Sequence, residues 1–275
     1  MSITGLEPPR RAVVDDYDRT APLSVLGKAH LLMDAFASGV TTLGLTELSR
    51  RSGVPKASAH RLAVELVGLG MLARTEGGYQ LGWRLYELGQ LVPGPADLRS
   101  IARPLLMDLR AATRAVVHLA VPQKRETVYL ERLAGRGETP LLAAVGSHVQ
   151  SQRTASGRIF LAYARPETLA GLGTSALAEL GVRLPAELAA RFASIRARRY
   201  EDERQQCVMG FKTIAVPVMC PGPDDTVAAI SATVRIERRD DQQVLHALWG
   251  TSTEISRALR RVNARPPQRR ARLVG

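Results

Sequence analysis

The sequence has very little cysteine: Cys207 and Cys220 are the only two among 275 residues. Two thiols are too few for a disulfide framework or a four-cysteine zinc site, and they fit a reducing compartment. Long apolar runs are also missing. No window approaches about 18 uninterrupted apolar residues, and residues 1–20 carry charges and prolines instead of an apolar signal core. We therefore expect a soluble protein that stays in the cytoplasm.

Catalytic signatures are missing as well. The sequence contains no nucleophile elbow, P-loop, dinucleotide fingerprint or His-Glu-x-x-His spacing. Cys207 and His118 could in principle serve as nucleophile and base, but Cys207 follows two glutamines without an activating neighbour, and His118 alternates within an apolar strand like a hydrogen-bonded core histidine. The five histidines lie at no short ligand spacing from one another or from a cysteine. We expect no enzyme activity, no metal and no cofactor.

Positive charge is in excess, with a formal net charge of +12 at pH 7. Such an excess favours nucleic-acid binding, because Lys and Arg neutralise phosphates and release counterions. Much of it lies near the C-terminus, where seven arginines fall between Arg257 and Arg272, whereas residues 20–95 carry seven basic and five acidic side chains. The net charge therefore permits DNA binding without locating it.

A DNA-binding motif is indicated instead by the order of short elements near the N-terminus. An apolar stripe predicts a helix over Ser24–Ala37 that Gly39 ends, and Thr46 is placed to cap a short second helix through Arg51. Gly53 then supplies a turn and Pro55 suits the first position of a third helix. Two extended pieces within residues 71–81 follow around a glycine-bearing turn. This order is that of a winged helix-turn-helix, which we place at residues 21–82.

The third helix is the predicted recognition helix, because the second helix of this motif lies in the major groove with its N-terminal side chains at base edges. Each candidate has a plainer alternative: small residues can simply permit close approach, and basic residues can contact only phosphate, as about half or more of such contacts do. Arg50 and Arg51, on the supporting helix, could equally form a solvated face. The predicted DNA-binding residues are Lys56, Ala57, Ser58, His60 and Arg61 of the helix and Arg74 of the wing.

The remaining sequence predicts a linker and a larger α+β domain. Helical spacing resumes over Gly82–Leu91, and two prolines flanking Gly94 break the chain, so residues 83–97 are assigned to a linker helix and hinge. Residues 98–262 alternate helical and strand patterns, with a flexible arm predicted over 1–20 and a basic tail over 263–275. The predicted helices are 98–112, 157–164, 185–199 and 241–262, and the predicted strands are 116–121, 127–133, 212–219 and 227–236.

These features resemble the IclR family of bacterial transcriptional regulators from Ser24 to Leu259. The resemblance rests on Leu-Thr-Glu-Leu-Ser-Arg-Arg-Ser-Gly-Val-Pro-Lys-Ala-Ser-Ala-His-Arg at 45–61, on Gly-Tyr-Gln-Leu-Gly at 78–82, and on the segments 117–121, 128–132, 210–218 and 229–233. It implies an N-terminal winged helix-turn-helix, a linker helix and a C-terminal GAF-like α/β domain that binds a small organic effector. It also implies dimers formed through the DNA-binding domains, often paired into tetramers.

The resemblance further implies where the effector binds. Family members commonly have other residues at Gln152, Arg158, Gln206 and Thr213, so the effector itself does not carry over. The N–H groups around Ser156 and Gly157 at a helix start suit a carboxylate, and we expect a small one, with an aromatic acid among the candidates. Arg153 could add a charge-assisted bond or point to solvent. The implied effector-binding residues are Arg153, Thr154, Ala155, Ser156, Gly157, Phe211, Thr213, Ser231 and Thr233.

We therefore expect a sequence-specific regulator that binds a pseudo-palindromic double-stranded operator as a dimer or tetramer and is controlled by a small effector. Repression of a catabolic operon is the behaviour the resemblance favours, with activation by the same fold as the alternative. A further alternative is a sensor that acts only through protein partners, in which the N-terminal helices would merely dimerise. Loss of DNA binding on replacing Lys56 and Arg61 would argue against that alternative.

Overall fold

A computed structural model of the 275-residue chain divides into two compact units, Met1–Ala96 and Asp97–Gly275. The predicted N-terminal arm, most of the predicted basic tail, Gln206 and both cysteines lie outside the described residues. The structure describes residues 24–37, 39–92, 95–135, 144–170, 172–181, 185–204, 209–219 and 227–263.

The first unit is a winged helix-turn-helix, as the sequence predicts. Three helices precede a two-stranded antiparallel hairpin, and a fourth helix follows it. The elements are α1 Val25–Asp34, α2 Leu45–Ser52, α3 Lys56–Gly68, β1 Leu72–Thr75, β2 Gly78–Leu81 and α4 Trp83–Gln90.

Local sequence explains the ends of these helices, with two corrections. The Ser24 hydroxyl accepts a hydrogen bond from Gly27 N–H at 3.0 Å and caps α1. Gly53 ends α2 with φ of +69°, a left-handed conformation that glycine adopts without strain. Thr46 is not the cap of α2, because the helix already begins at Leu45 behind Gly44. Pro55 is the N-cap of α3 and not its first helical residue as predicted, because the helix begins one residue later, at Lys56.

The core of the first unit joins helices α1, α2 and α3 to the hairpin. Leu32, Leu48, Leu62 and Leu72 are at most 4% exposed, one each from α1, α2, α3 and β1, so the apolar stripes of the sequence face one another. Leu43 also exchanges two 2.9 Å backbone hydrogen bonds with Tyr79 of β2 and pins the wing to the segment before α2.

The second unit contains every helix and strand that the sequence predicts and four short elements that it does not. The missed elements are β5, β6, α7 and α8, which span three to six residues and are too short to show a periodicity. The full order is α5 Pro95–Thr113, β3 Val116–Gln123, β4 Glu126–Leu133, β5 His148–Gln150, a 3-10 turn Ser151–Arg153, α6 Ala155–Ala162, α7 Pro166–Ala170, α8 Thr174–Glu179, α9 Pro185–Arg198, β6 Glu201–Arg204, β7 Phe211–Met219, β8 Val227–Arg235 and α10 Asp241–Asn263.

Six strands among the described residues of this unit form one antiparallel sheet in the order β5-β4-β3-β8-β7-β6. Successive side chains of a strand point to opposite faces, so the sheet builds two cores. Val117 and Leu119 belong to the core formed with α5 and α10, whereas Ala120 belongs to the core formed with α6 and α9. The second face therefore places the start of α6 over β3, β7 and β8.

Candidate functional site

The outer face of α3 is basic and exposed. Lys56, His60 and Arg61 are exposed, while Ala59 and Leu62 on the opposite face are buried, so the helix presents its polar residues to solvent. Within the part of the chain that the structure describes, no carboxylate pairs with Lys56 or Arg61. Their positive charges are available to phosphates or base edges.

The arginines of α2 are in a different situation. Glu47 accepts hydrogen bonds from Arg50 at 2.6 and 2.8 Å and from Arg51 at 2.6 Å, and these bonds lower the pKa of Glu47 to about 2. The charges of α2 are thus partly balanced within the helix. This arrangement supports the interpretation of Arg50 and Arg51 as a solvated face.

The remaining predicted DNA contacts also lie at the surface. Ala57 is exposed and Ser58 is half-buried at the start of α3. Arg74 is exposed on β1, and its guanidinium lies 5.7 Å from the centre of the Tyr79 ring. This cation–π contact fixes the Arg74 guanidinium at the surface of the wing.

A cavity of about 50 Å³, lined mostly by polar residues, lies in the second unit between the start of α6 and the sheet. A volume of this size accommodates a few water molecules. Six of the nine predicted effector-binding residues line it, together with four that the sequence did not indicate. The lining residues are His118, Tyr129, Val149, Thr154, Ala155, Ser156, Glu203, Thr213, Ser231 and Thr233.

Three predicted effector residues lie outside this lining. Arg153 is exposed, and Phe211 is half-buried under the guanidinium of Arg235, which lies 5.5 Å from its ring centre. Gly157 is buried, but its N–H donates to Thr154 Oγ1 at 3.0 Å and is not free for a ligand. Its role is steric, because an added Cβ would lie 2.1 Å from the Ser151 carbonyl oxygen.

The start of α6 lies at one side of the cavity, where Thr154, Ala155 and Ser156 line it. The first N–H groups of a helix have no acceptor within the helix, and the helix dipole favours negative charge there. The Thr154 side chain caps Gly157 N–H, and Ala155 and Ser156, the first two residues of the helix, line the cavity. This geometry suits a carboxylate.

The sheet contributes a row of polar side chains to the same cavity. Thr213 and Thr233 face each other across β7 and β8, with their hydroxyls 2.9 Å apart. His118 lies opposite Ser231 across β3 and β8. Sequence analysis had named Thr213, Ser231 and Thr233 through the family resemblance but missed His118, because strand pairing that joins distant segments is not visible in local periodicity.

His118 corrects one sequence-based interpretation. It is 3% exposed, as expected of a core residue, but its Nε2 has no hydrogen-bond partner among the described residues and the side chain lines the cavity. Burial, with a smaller contribution from Arg132, lowers the pKa of His118 to about 3. The imidazole is therefore neutral at pH 7.

A buried ion-pair network supports the cavity wall. Arg158 is 1% exposed, and its Nε lies 2.9 Å from Glu201 Oε1 while its Nη2 lies 3.5 Å from Glu203 Oε2. Arg191 also reaches Glu201, at 2.9 Å. Since Glu203 lines the cavity, Arg158 balances the charge of its wall.

Metal clusters and membrane-spanning helices are both absent from the described residues. No group of three or more His, Cys, Asp or Glu side chains in those ranges could hold a metal ion. In the same ranges, no helix has the length and apolar character needed to cross a bilayer.

Comparison with known proteins gives two family matches. Residues 25–76 match the IclR helix-turn-helix domain, and residues 92–257 match the C-terminal domain of the bacterial transcriptional regulator IclR. The second match alone spans more than half of the chain.

Individual relatives agree with these matches. The HTH-type transcriptional regulator XynR of Escherichia coli K12 is 28% identical over 241 residues, covering 84% of this chain and 95% of XynR. The transcriptional repressor IclR of the same organism is 22% identical, covering 86% and 88%. The crystal structure of an IclR homologue from Microbacterium hydrocarbonoxydans, complexed with 4-hydroxybenzoate, is similar with a TM-score of 0.75 and 25% identity, covering 86% of this chain and all of that one.

Proposed function

Because the chain belongs to the IclR family of bacterial DNA-binding transcriptional regulators, we propose that it represses a catabolic operon and responds to a small carboxylate bound in the cavity of the second unit. The observation that carries the DNA-binding part is the exposed basic face of α3 behind the Gly53 turn, where Lys56 and Arg61 pair with no carboxylate of the described residues. The name of the E. coli relative, a transcriptional repressor, supports repression over activation. Cytoplasmic localisation, where the nucleoid is, belongs to the same proposal.

The DNA-binding residues of this proposal are those at the surface of α3 and the wing. Arg61 and Lys56 neutralise phosphates or bind base edges, Arg74 binds phosphate, and a dimer sets two recognition helices in successive major grooves of a pseudo-palindrome. The exposed rings of Trp83 and Tyr86 on α4, whose centres lie 4.8 Å apart, support self-association into a dimer or tetramer, because a second copy would cover them.

Replacing Lys56 and Arg61 together by alanine is expected to weaken operator binding and to reduce the slope of log affinity against log salt by about 0.9 for each phosphate that is no longer neutralised. Fluorescence anisotropy of the full-length protein at several salt concentrations measures both. Arg50→Ala is the matched control, since Arg50 is exposed but paired with Glu47, and we expect it to change the slope much less. Equal effects of both variants would contradict the assignment of α3.

The effector part of the proposal rests on the free N–H groups at the start of α6. A carboxylate there would receive charge-assisted hydrogen bonds from Ala155 and Ser156, with Thr213, Ser231 and Thr233 contacting the rest of the molecule. The 4-hydroxybenzoate in the Microbacterium homologue supports an aromatic carboxylate. Effector binding changes the operator affinity only if the protein binds the effector more tightly in one arrangement of its recognition helices than in another. A tenfold change in operator affinity needs a difference of about 1.4 kcal/mol between the two effector binding free energies. We assign the coupling to the linker that begins with α4.

Ala155→Pro is expected to lower carboxylate affinity at least about tenfold while leaving the fold intact. Proline is favoured at the first position of a helix, and Thr154 already has the extended conformation that precedes proline, yet the variant removes one N–H from the cavity. Isothermal titration with benzoate measures the affinity. Val25→Pro, at the first position of α1 behind the extended Ser24 and outside the cavity lining, is the control. Unchanged benzoate affinity in Ala155→Pro would refute the anion site.

A further inference from the structure

His118 is a buried polar residue whose Nε2 atom has no hydrogen-bond partner among the described residues. The side chain is 3% exposed, lines the cavity and packs edge-on against Tyr129, with ring centres 5.3 Å apart. No described residue forms a hydrogen bond to its Nε2, which is fully buried. Leaving such an atom unpaired is unfavourable, and buried polar atoms in native structures nearly always have a partner. The missing partner is therefore expected to come from the cavity.

We propose that His118 is a specificity-determining residue that binds a hydroxyl group of the effector, so that the effector is a small hydroxycarboxylate. This inference rests on the proposed function, because it takes the same cavity as the effector site and the start of α6 as its carboxylate end. It adds the second functional group of the ligand and the residue that selects it.

The position of His118 allows one ligand to reach both groups. The start of α6 covers the cavity from one side, and His118 reaches it from the sheet, opposite Ser231 on the neighbouring strand. A molecule whose carboxylate lies at Ala155 and Ser156 then extends toward the sheet, where the imidazole meets its far end.

The chemistry of the wall selects a hydroxyl over a charged group. A neutral imidazole has one N–H donor and one acceptor nitrogen, and a hydroxyl can both donate and accept, so it pairs with either tautomer. An ammonium group would need surplus negative charge in the wall. The one carboxylate of the cavity lining, that of Glu203, already lies 3.5 Å from the Arg158 guanidinium, and Arg132 lies opposite His118 on β4. Burying another cation there is unfavourable.

The test compares acids that differ by one hydroxyl: benzoate against 3-hydroxybenzoate and 4-hydroxybenzoate, and propionate against lactate. Binding to the full-length protein is measured by isothermal titration for the wild type, His118→Phe and His118→Gln. We expect the wild type to prefer a hydroxy acid at least about tenfold over its parent acid. His118→Phe keeps a planar ring without nitrogen and should bind both members of the pair equally, whereas His118→Gln, with a donor and an acceptor, should retain part of the preference.

Thermal melting without ligand separates recognition from a structural role. Since Nε2 has no partner among the described residues, His118→Phe should melt no lower than the wild type. Failure of both variants to fold would make His118 structural and overturn the inference, as would an unchanged preference in His118→Phe. Equal wild-type affinity for both members of every pair overturns this inference alone. No binding of any of these acids overturns the carboxylate part of the proposed function as well.

Discussion

Gly157→Ala is expected to destabilise the second unit by roughly 3 kcal/mol or more and to abolish the response to effector. Gly157 lies in the first turn of α6, where an added Cβ would be 2.1 Å from the carbonyl oxygen and 2.4 Å from the Cα of Ser151. Both are backbone atoms, so no side-chain rotation relieves the overlap. The turn or the helix must move, and Thr154 and Ser156 of the cavity lining move with it.

Urea denaturation, followed by Trp249 fluorescence in a Trp83→Phe background, measures this loss in the second unit. Gly250→Ala is the matched control, because Gly250 lies within α10 and a Cβ there would meet no heavy atom within 4 Å. Alanine forms helix better than glycine, so we expect the control to gain about 0.5–1 kcal/mol. A stabilised Gly157→Ala would show that the backbone of α6 does not need this close approach.

Arg158→Met is the second change with a large expected effect, a loss of about 3–5 kcal/mol in the free energy of unfolding. Arg158 is 1% exposed and faces two carboxylates, Glu201 and Glu203, that are 3% and 5% exposed. Methionine fills similar space but removes the buried cation that lies between the two carboxylates, and among the described residues Glu201 keeps only the more exposed Arg191 and Arg198 as partners. Breaking one side of a buried pair costs more than the pair contributes, because the remaining charge stays desolvated.

Two further variants distinguish buried charge from lost packing. Arg198→Met removes a partly exposed partner of the same Glu201, at 3.4 Å, and should cost less than about 1 kcal/mol because solvent screens that pair. Adding Glu203→Gln to Arg158→Met removes one of the two negative charges that Arg158 balances and should recover part of the stability. If the double variant is no more stable than Arg158→Met in urea denaturation, packing and not charge explains the loss.

The first unit could be predicted from the sequence almost completely. Its motif depends on short-range rules: apolar spacing along α1 and α3, the left-handed turn at Gly53 and the glycine turn of the wing. The errors are shifts of one or two residues at Thr46 and Pro55, because capping depends on which residue leaves helical geometry, and several neighbours can serve.

The candidate effector site was predictable only in part. Most of the lining residues that were predicted came from the resemblance to a family. Thr154, Ala155 and Ser156 lie in one continuous segment at a helix start, so their grouping is local. Arg153 and Phe211 are close in sequence to lining residues, but they lie outside the lining. Whether a residue next to a lining residue also lines the cavity depends on the direction of its side chain. A residue pattern does not give that direction.

His118 and Glu203 show why the rest could not be predicted. His118 belongs to β3 and Glu203 to β6, two strands that are separated in the sheet by β8 and β7. Whether the two side chains reach the same face depends on strand order and register, and a shift by one residue would turn each to the opposite face. The alternating pattern alone therefore indicated a core histidine with a partner.

The sequence by itself determined that the chain contains a winged helix-turn-helix followed by an α+β domain, because helix and strand periods, caps and glycine turns are properties of neighbouring residues. Only the tertiary structure decided which polar groups share the cavity and which cations are already paired. Those facts follow from strand pairing and packing between segments far apart in the chain, such as those of His118 and Glu203, where no local rule applies.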